Sequence, residues 1–334
     1  MADINVLMVG GRRAGKTSIL AAMDKCCSKQ LAGVEQLSIV RDEDSGIALG
    51  TKLTELKRYF SKAYLKRESF VADLNPSVGT NQYGFDVRVN EKDLPYNLSF
   101  TDVPGEWFSV AEHEDEVQAL MDSSQIIIIA IDTPHLVEKT DPATGYGKYH
   151  REFNRVDEIT RFFKTAFQKS RQPRLVLFVP LKCEKYYIRS NEGSKRWNMP
   201  MVTETVQKGY EELIAFLTQS DIQESCTVAI TPILTLGGAE FDKFDENGYA
   251  GIYRYTMDPK YDPQYCEQPL LMTLLYVIAM TKKKKSGKLD WLITLLKNEA
   301  KLKDLAACES TLKKLIVTDE KLGFTVLNDP MKMF

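Results

Sequence analysis

The chain has 334 residues, 43 % of them apolar and 27 % charged, with a formal net charge of −2 at pH 7. That balance excludes a disordered chain, leaves ample length for a buried core, and gives nothing global that points to nucleic acid. No run is apolar for long enough to span a bilayer, and no charged-then-apolar leader opens the chain, so no transmembrane segment and no export signal are expected.

Strand and helix signals alternate, which predicts an α/β fold with a largely parallel sheet. Ile4–Val9 reads as the first strand and residues 16–28 as the first helix. Residues 30–75 carry Ile47, Leu49, Leu53, Leu56, Tyr59, Phe60 and Ala63 at near-helical spacing, so an inserted helix or helical hairpin is expected there. Tyr83–Val89 and Tyr96–Thr101 flank Asn90-Glu-Lys-Asp93 and read as a β-hairpin, the one antiparallel element. Gln125–Ile131, apolar after its first residue, is typical of a central strand covered on both faces, and Arg174–Val179 reads as the next central strand. Helices are expected over about 153–168 and 203–217, and Cys226–Ile230 is the last clear central strand. Ile252–Thr256 reads as a small extra strand, and 268–280 as the helix that closes a first unit, residues 1–281. A second unit, 282–334, would combine a basic linker (Lys282–Lys285, Lys288) with a Leu-striped helical tail. The tail either packs on the first unit or binds a partner. The six cysteines are scattered without a C-x-x-C pair and read as free thiols in a reducing cytoplasm.

Gly10-Gly-Arg-Arg-Ala-Gly-Lys-Thr17 fits the phosphate-loop (Walker A) pattern G-x-x-x-x-G-K-[ST], delivered by a strand and continued by a helix from Ser18. Gly10 and Gly15 let the backbone curl so that the N–H groups of Gly11, Arg12, Arg13, Ala14 and Ser18 can face a polyphosphate. Lys16 adds a point charge for the β/γ-oxygens, and the Thr17 hydroxyl is a Mg²⁺ ligand candidate. Asp102-Val-Pro-Gly105 follows a strand end; a carboxylate there suits Mg²⁺, and Gly105 can bring a backbone N–H to a γ-phosphate.

With these two clusters the chain resembles the Ras-like GTPases, the translation-factor-related class of P-loop proteins, over roughly residues 3–280. The resemblance implies a three-layer P-loop fold, GTP/GDP and Mg²⁺ as ligands, and a hydrolase that acts as a molecular switch toward an effector or activator protein. It implies that Thr80 closes over Mg²⁺, with Ser77 as the fallback. It aligns Leu181-Lys-Cys-Glu184 with the family's base-reading N-K-x-D. Lys182 would cover the base and Glu184 would accept from guanine N1–H and the 2-amine, while Leu181 cannot replace the Asn. A solvated strand end is the alternative reading. The Lys-Cys-Glu variant and the long insertion look more like the bacterial double-GTPase group of conflict and defence gene neighbourhoods.

Two further departures bear on catalysis. Glu106 stands where the family's water-orienting glutamine is, and brings negative charge toward a γ-phosphate. Arg12 and Arg13 stand where small residues are commoner; they block the catalytic geometry, reach the phosphates in cis as arginine fingers do, or point to solvent. The expectation is slow intrinsic hydrolysis that a partner or self-association raises. A non-catalytic nucleotide-binding scaffold and a P-loop ATPase are the competing readings.

Overall fold

A computed structural model describes residues 2–31, 37–71, 79–89, 92–170, 172–187, 198–283 and 299–334. Its central sheet begins with β1 (Ala2–Val9), which runs into the phosphate loop and helix α1 (Lys16–Leu31). The insertion follows as β2 (Leu37–Arg41), α2 (Glu43–Arg58) and β3 (Ser69–Val71). Asp42 starts α2 because its carboxylate accepts from the Ser45 N–H at 2.7 Å, closing one of the helix's otherwise unpaired donors. The expected helix is therefore there, but strands flank it. β2 pairs with β4 at the sheet edge, and β3 joins a second, smaller sheet.

The hairpin is β4 (Asn81–Val89) and β5 (Lys92–Asp102). Helix α3 (Glu114–Ser123) leads to β6 (Ile126–Asp132), the short helices α4 (Thr133–Val137) and α5 (His150–Phe153), then α6 (Val156–Lys169) and β7 (Arg174–Leu181). The helix expected over 203–217 is two, α7 (Met199–Gly209) and α8 (Glu211–Thr218), because Tyr210 leaves helical geometry at φ −116° and ψ 22°. β8 (Cys226–Ile230), β9 (Ala239–Phe244), β10 (Gly251–Tyr255), α9 (Gln268–Lys283), α10 (Glu299–Leu315) and β11 (Thr325–Asn328) complete the chain.

The sheet order is β11-β8-β7-β6-β1-β5-β4-β2, with β5, β1, β6, β7 and β8 mutually parallel. β4 is antiparallel as expected, and β11 is a second antiparallel strand, paired with β8. The described part of the tail thus adds a strand to the sheet and a helix, α10, on its surface. Of the stretch expected as a basic linker, residues 284–298 lie outside the described residues.

Alternate residues of each central strand enter two separate cores, which is why the middles of those strands are apolar on both faces. Val6, Met8, Ile126, Ile128 and Leu177 pack on the side of α1, α9 and α10. Leu7, Val9, Ile127, Ile129 and Phe178 pack on the side of α3, α6, α7 and α8. Among the described residues no helix is long and apolar enough to cross a membrane. The two-sided burial leaves the carboxyl ends of the parallel strands as the place for loops that carry chemistry.

Candidate functional site

At that edge the register sets Met8 of β1 beside Asp102 of β5, so the phosphate loop and Asp102 leave adjacent strands together. Gly10 and Gly15 hold φ of 147° and 112°, conformations that a side chain disfavours, and Arg13 sits in the left-handed region at 60°. The Lys16 ammonium is folded onto the loop, donating to the Gly10 and Gly11 carbonyls at 3.0 and 3.1 Å. Burial lowers its pKa, against the opposing pull of Asp102 and Glu106. Ser18 follows in the first turn of α1, half-buried.

The Thr17 hydroxyl donates to Asp102 Oδ2 at 2.6 Å. The other oxygen, Oδ1, is buried with no hydrogen-bond partner. Burial raises the Asp102 pKa, while Lys16 and the Thr17 hydroxyl lower it. A hydroxyl, a carboxylate and an orphaned buried oxygen beside a phosphate loop form a hard-oxygen donor set, and these residues fit Mg²⁺. Asn81 pairs opposite Asp102, so Thr80 stands one residue beyond the carboxylate at the same edge. Ser77 lies outside the described residues.

Gly105 is pressed onto the phosphate loop. A Cβ built there would lie 2.3 Å from the Arg12 nitrogen and 2.4 Å from the Gly11 carbonyl carbon, so only glycine fits. One residue on, Glu106 Oε1 meets Arg12 Nε at 2.9 Å. The next segment is held by a stack of Trp107 on His113, ring centroids 3.9 Å apart and nearly parallel. His113, which lies in an acidic stretch, is thus part of the packing behind the loop.

A sequence model of one family, Double-GTPase 2, matches residues 4–222, from β1 through α8. The chain belongs to the Double-GTPase 2 family. No curated protein matches it in sequence. Membership carries a GTPase-type domain and guanine-nucleotide binding as the coarse description of this chain, in line with its P-loop architecture.

In this Double-GTPase 2 chain the strand end after β7 turns at Lys182, whose φ is 60°. The Lys182 backbone N–H donates to Thr235 Oγ1 at 2.9 Å, and its ammonium reaches Arg13 O at 2.7 Å and Asp132 Oδ2 at 2.6 Å. Leu181 is buried against the position that a Gly15 Cβ would take, at 3.2 Å. The Glu184 Oε1 atom accepts from the Leu236 and Gly237 N–H groups at 2.5 and 3.1 Å, while Oε2 is buried without a partner. Burial raises the Glu184 pKa, against those amides. Lys182 therefore bridges the phosphate loop and the loop after β8, and Glu184 is bound to the latter.

Asp132, at the tip of β6, is a site residue that the sequence reading did not pick out. Burial alone would raise its pKa, but Lys182 and His135 hold it well below the usual carboxylate range. A charged residue closing the six-residue aliphatic run Ile126–Ile131 was the available signal. Thr235 lies in the loop 231–238 that the sequence places beside the base, but its hydroxyl, a lone threonine side chain in a loop, had no pattern to mark it. Arg12, Arg13, Lys182 and Asp132 also line a cavity of about 330 Å³, closed by Phe153 and by Tyr249 beside β10.

Proposed function

We propose that the chain is a guanine-nucleotide switch: a Ras-like GTPase with slow, Mg²⁺-dependent hydrolysis whose nucleotide state controls the binding of a protein partner. The carrying observation is the Thr17–Asp102 contact at 2.6 Å with the second Asp102 oxygen buried and unpaired beside Lys16. Thr17 and Asp102, with Thr80 at the same edge, would hold Mg²⁺. When bound, that ion supplies charge neutralisation at the β/γ-oxygens.

The chain's own residues account for the rest. The loop amides and Lys16 hold the phosphates; Lys16 turns from the Gly10 and Gly11 carbonyls to do so. Gly105 offers its N–H to the γ-phosphate. Glu106 accepts a hydrogen bond from the attacking water but repels the γ-phosphate, which makes hydrolysis slow. Arg12, and next to it Arg13, offset that charge from the loop itself. The segments around Thr80 and Gly105–His113 are the ones that the γ-phosphate can reorder, and a partner or a second copy of the chain reads that change. The free cysteines suit a reducing cytoplasm, which is where we place the protein.

A second reading, a nucleotide-binding scaffold without turnover, is favoured by the Arg12–Glu106 pair, which engages both candidate catalytic groups with each other. Equilibrium affinities for GTP, GDP and ATP with Mg²⁺, for the chain and its Lys16→Ala variant, test the nucleotide assignment. Guanine preference lost in the variant is the expected result. Single-turnover GTP hydrolysis then separates the two readings: slow but measurable turnover supports the switch, none the scaffold. Preferred binding of ATP would overturn the guanine assignment and leave a P-loop ATPase.

A further inference from the structure

We propose that Asp132 is a positioning residue for nucleotide binding: its carboxylate holds Lys182 across the phosphate loop and so ties the base-side loop to the phosphate loop. The inference rests on the guanine-nucleotide reading of this site.

The family pattern that the chain resembles has an asparagine where Leu181 stands, and a leucine side chain can donate and accept nothing. The connection between the two loops has to come from elsewhere, and the structure has it in Lys182. That residue is fixed at both ends. Its backbone N–H is bound by Thr235 in the loop that also holds Glu184, and its ammonium is bound by the Arg13 carbonyl in the phosphate loop. Both Lys182 and Arg13 are non-glycine residues with φ of 60°, an arrangement that persists only when neighbours hold it.

Asp132 is the neighbour with the charge to do so. It is 5 % exposed, and its Oδ2 atom meets the Lys182 ammonium at 2.6 Å. Its other oxygen accepts from the His135 N–H at 3.2 Å as the cap of α4, with the His135 ring nitrogen at 3.0 Å. The backbone is gripped as well. The Asp132 N–H donates to Asn154 Oδ1 at 2.7 Å, and the Asn154 amide donates back to the Asp132 carbonyl at 3.3 Å. A carboxylate pinned in this way presents one oxygen in one direction. The lysine that meets it loses its rotamer freedom before any nucleotide arrives, and that pre-organisation favours binding.

The test measures affinity of the full chain for a fluorescent GDP analogue with Mg²⁺, together with melting temperature. The variants are Asp132→Asn, Asp132→Ser, Lys182→Met and the Asp132→Asn/Lys182→Met double variant. Serine keeps a cap for α4 without the charge, so a folding defect in one Asp132 variant does not end the test. Removing the charge is expected to weaken binding by about tenfold, the scale of a hydrogen bond to a charged group. Lys182→Met should do the same, and the double variant should be no weaker than Lys182→Met alone. Additive losses in the double variant would overturn the proposal. So would Asp132 variants that melt lower yet bind as the native chain does, since that is a purely structural role. Failure of the native chain to bind GDP would instead overturn the guanine reading, and this inference with it.

Discussion

Arg12 Nε lies 2.9 Å from Glu106 Oε1, so a phosphate-loop residue and the residue after Gly105, both departures from the Ras-like pattern, are paired with each other. Both side chains are about half exposed, and such a pair contributes only about 0–1 kcal/mol to stability. On the proposed function its consequence is electrostatic, at the γ-phosphate. Arg12→Ala leaves Glu106 uncompensated and is expected to weaken GTP binding more than GDP binding. Glu106→Gln should shift the GTP-to-GDP affinity ratio the opposite way. Parallel titrations of both nucleotides read the two signs; a shift in the same direction would show that the pair does not face the γ-phosphate.

Gly105→Ala should damage the phosphate loop from outside it. The added Cβ meets Arg12 and Gly11 backbone, which cannot swing away as a side chain can. Overpacking of this kind costs about 1–3 kcal/mol. The expected result is a lower denaturation midpoint with weaker nucleotide binding. Binding as tight as in the native chain would mean that Gly105 and the loop separate when nucleotide enters.

Glu184→Gln separates the observed anchoring of the loop after β8 from the guanine contact proposed for that side chain. The amide oxygen can still accept from the Leu236 and Gly237 N–H groups, so the loop after β8 stays anchored. The second position becomes an NH₂, which faces guanine donors with another donor. GTP affinity should fall by about ten- to a hundredfold, the cost of losing hydrogen bonds to a charged acceptor, while ATP affinity is unchanged. Equal losses for both nucleotides would assign Glu184 to loop structure alone.

His150 gives the fold an acid-sensitive element behind Asp132, to which it is linked through Asn154. Burial pushes its pKa down to about 3, and the Asn154 amide lies 2.9 Å from its Nδ1. The unfolded chain protonates this histidine near its ordinary value, whereas the folded chain keeps it neutral. Stability from this group is therefore complete above about pH 6.5 and is lost progressively as pH falls toward 3. Between pH 7 and pH 5 the loss is about 2 kcal/mol. Urea denaturation at those two pH values should show that difference in the native chain and a reduced one in His150→Gln.

The strands that carry the site were legible in the letters because their pattern is local. Ile4–Val9 running into Gly10–Thr17, and the strand ending at Asp102-Val-Pro-Gly105, each combine an apolar run with a fixed set of polar residues, and both lie where expected. The helix at 43–58 was legible from its periodicity. The strands around it were not: β3 exists only because Ile252, Tyr253 and Arg254 pair with it from far along the chain. The same holds for β11, whose partner β8 is remote in sequence and whose pattern is too short to stand out.

By itself the sequence determined which residues could meet a phosphate and a divalent ion, since loop geometry, a lysine charge and a carboxylate at a strand end are encoded within a few neighbouring positions. Only the tertiary structure decided what those residues do to one another. It set Arg12 against Glu106, closed Glu184 under the Leu236–Gly237 backbone and placed Asp132 beneath Lys182. Each of those contacts joins segments that follow different strands, and their distance in space depends on strand order and register, which no local pattern carries.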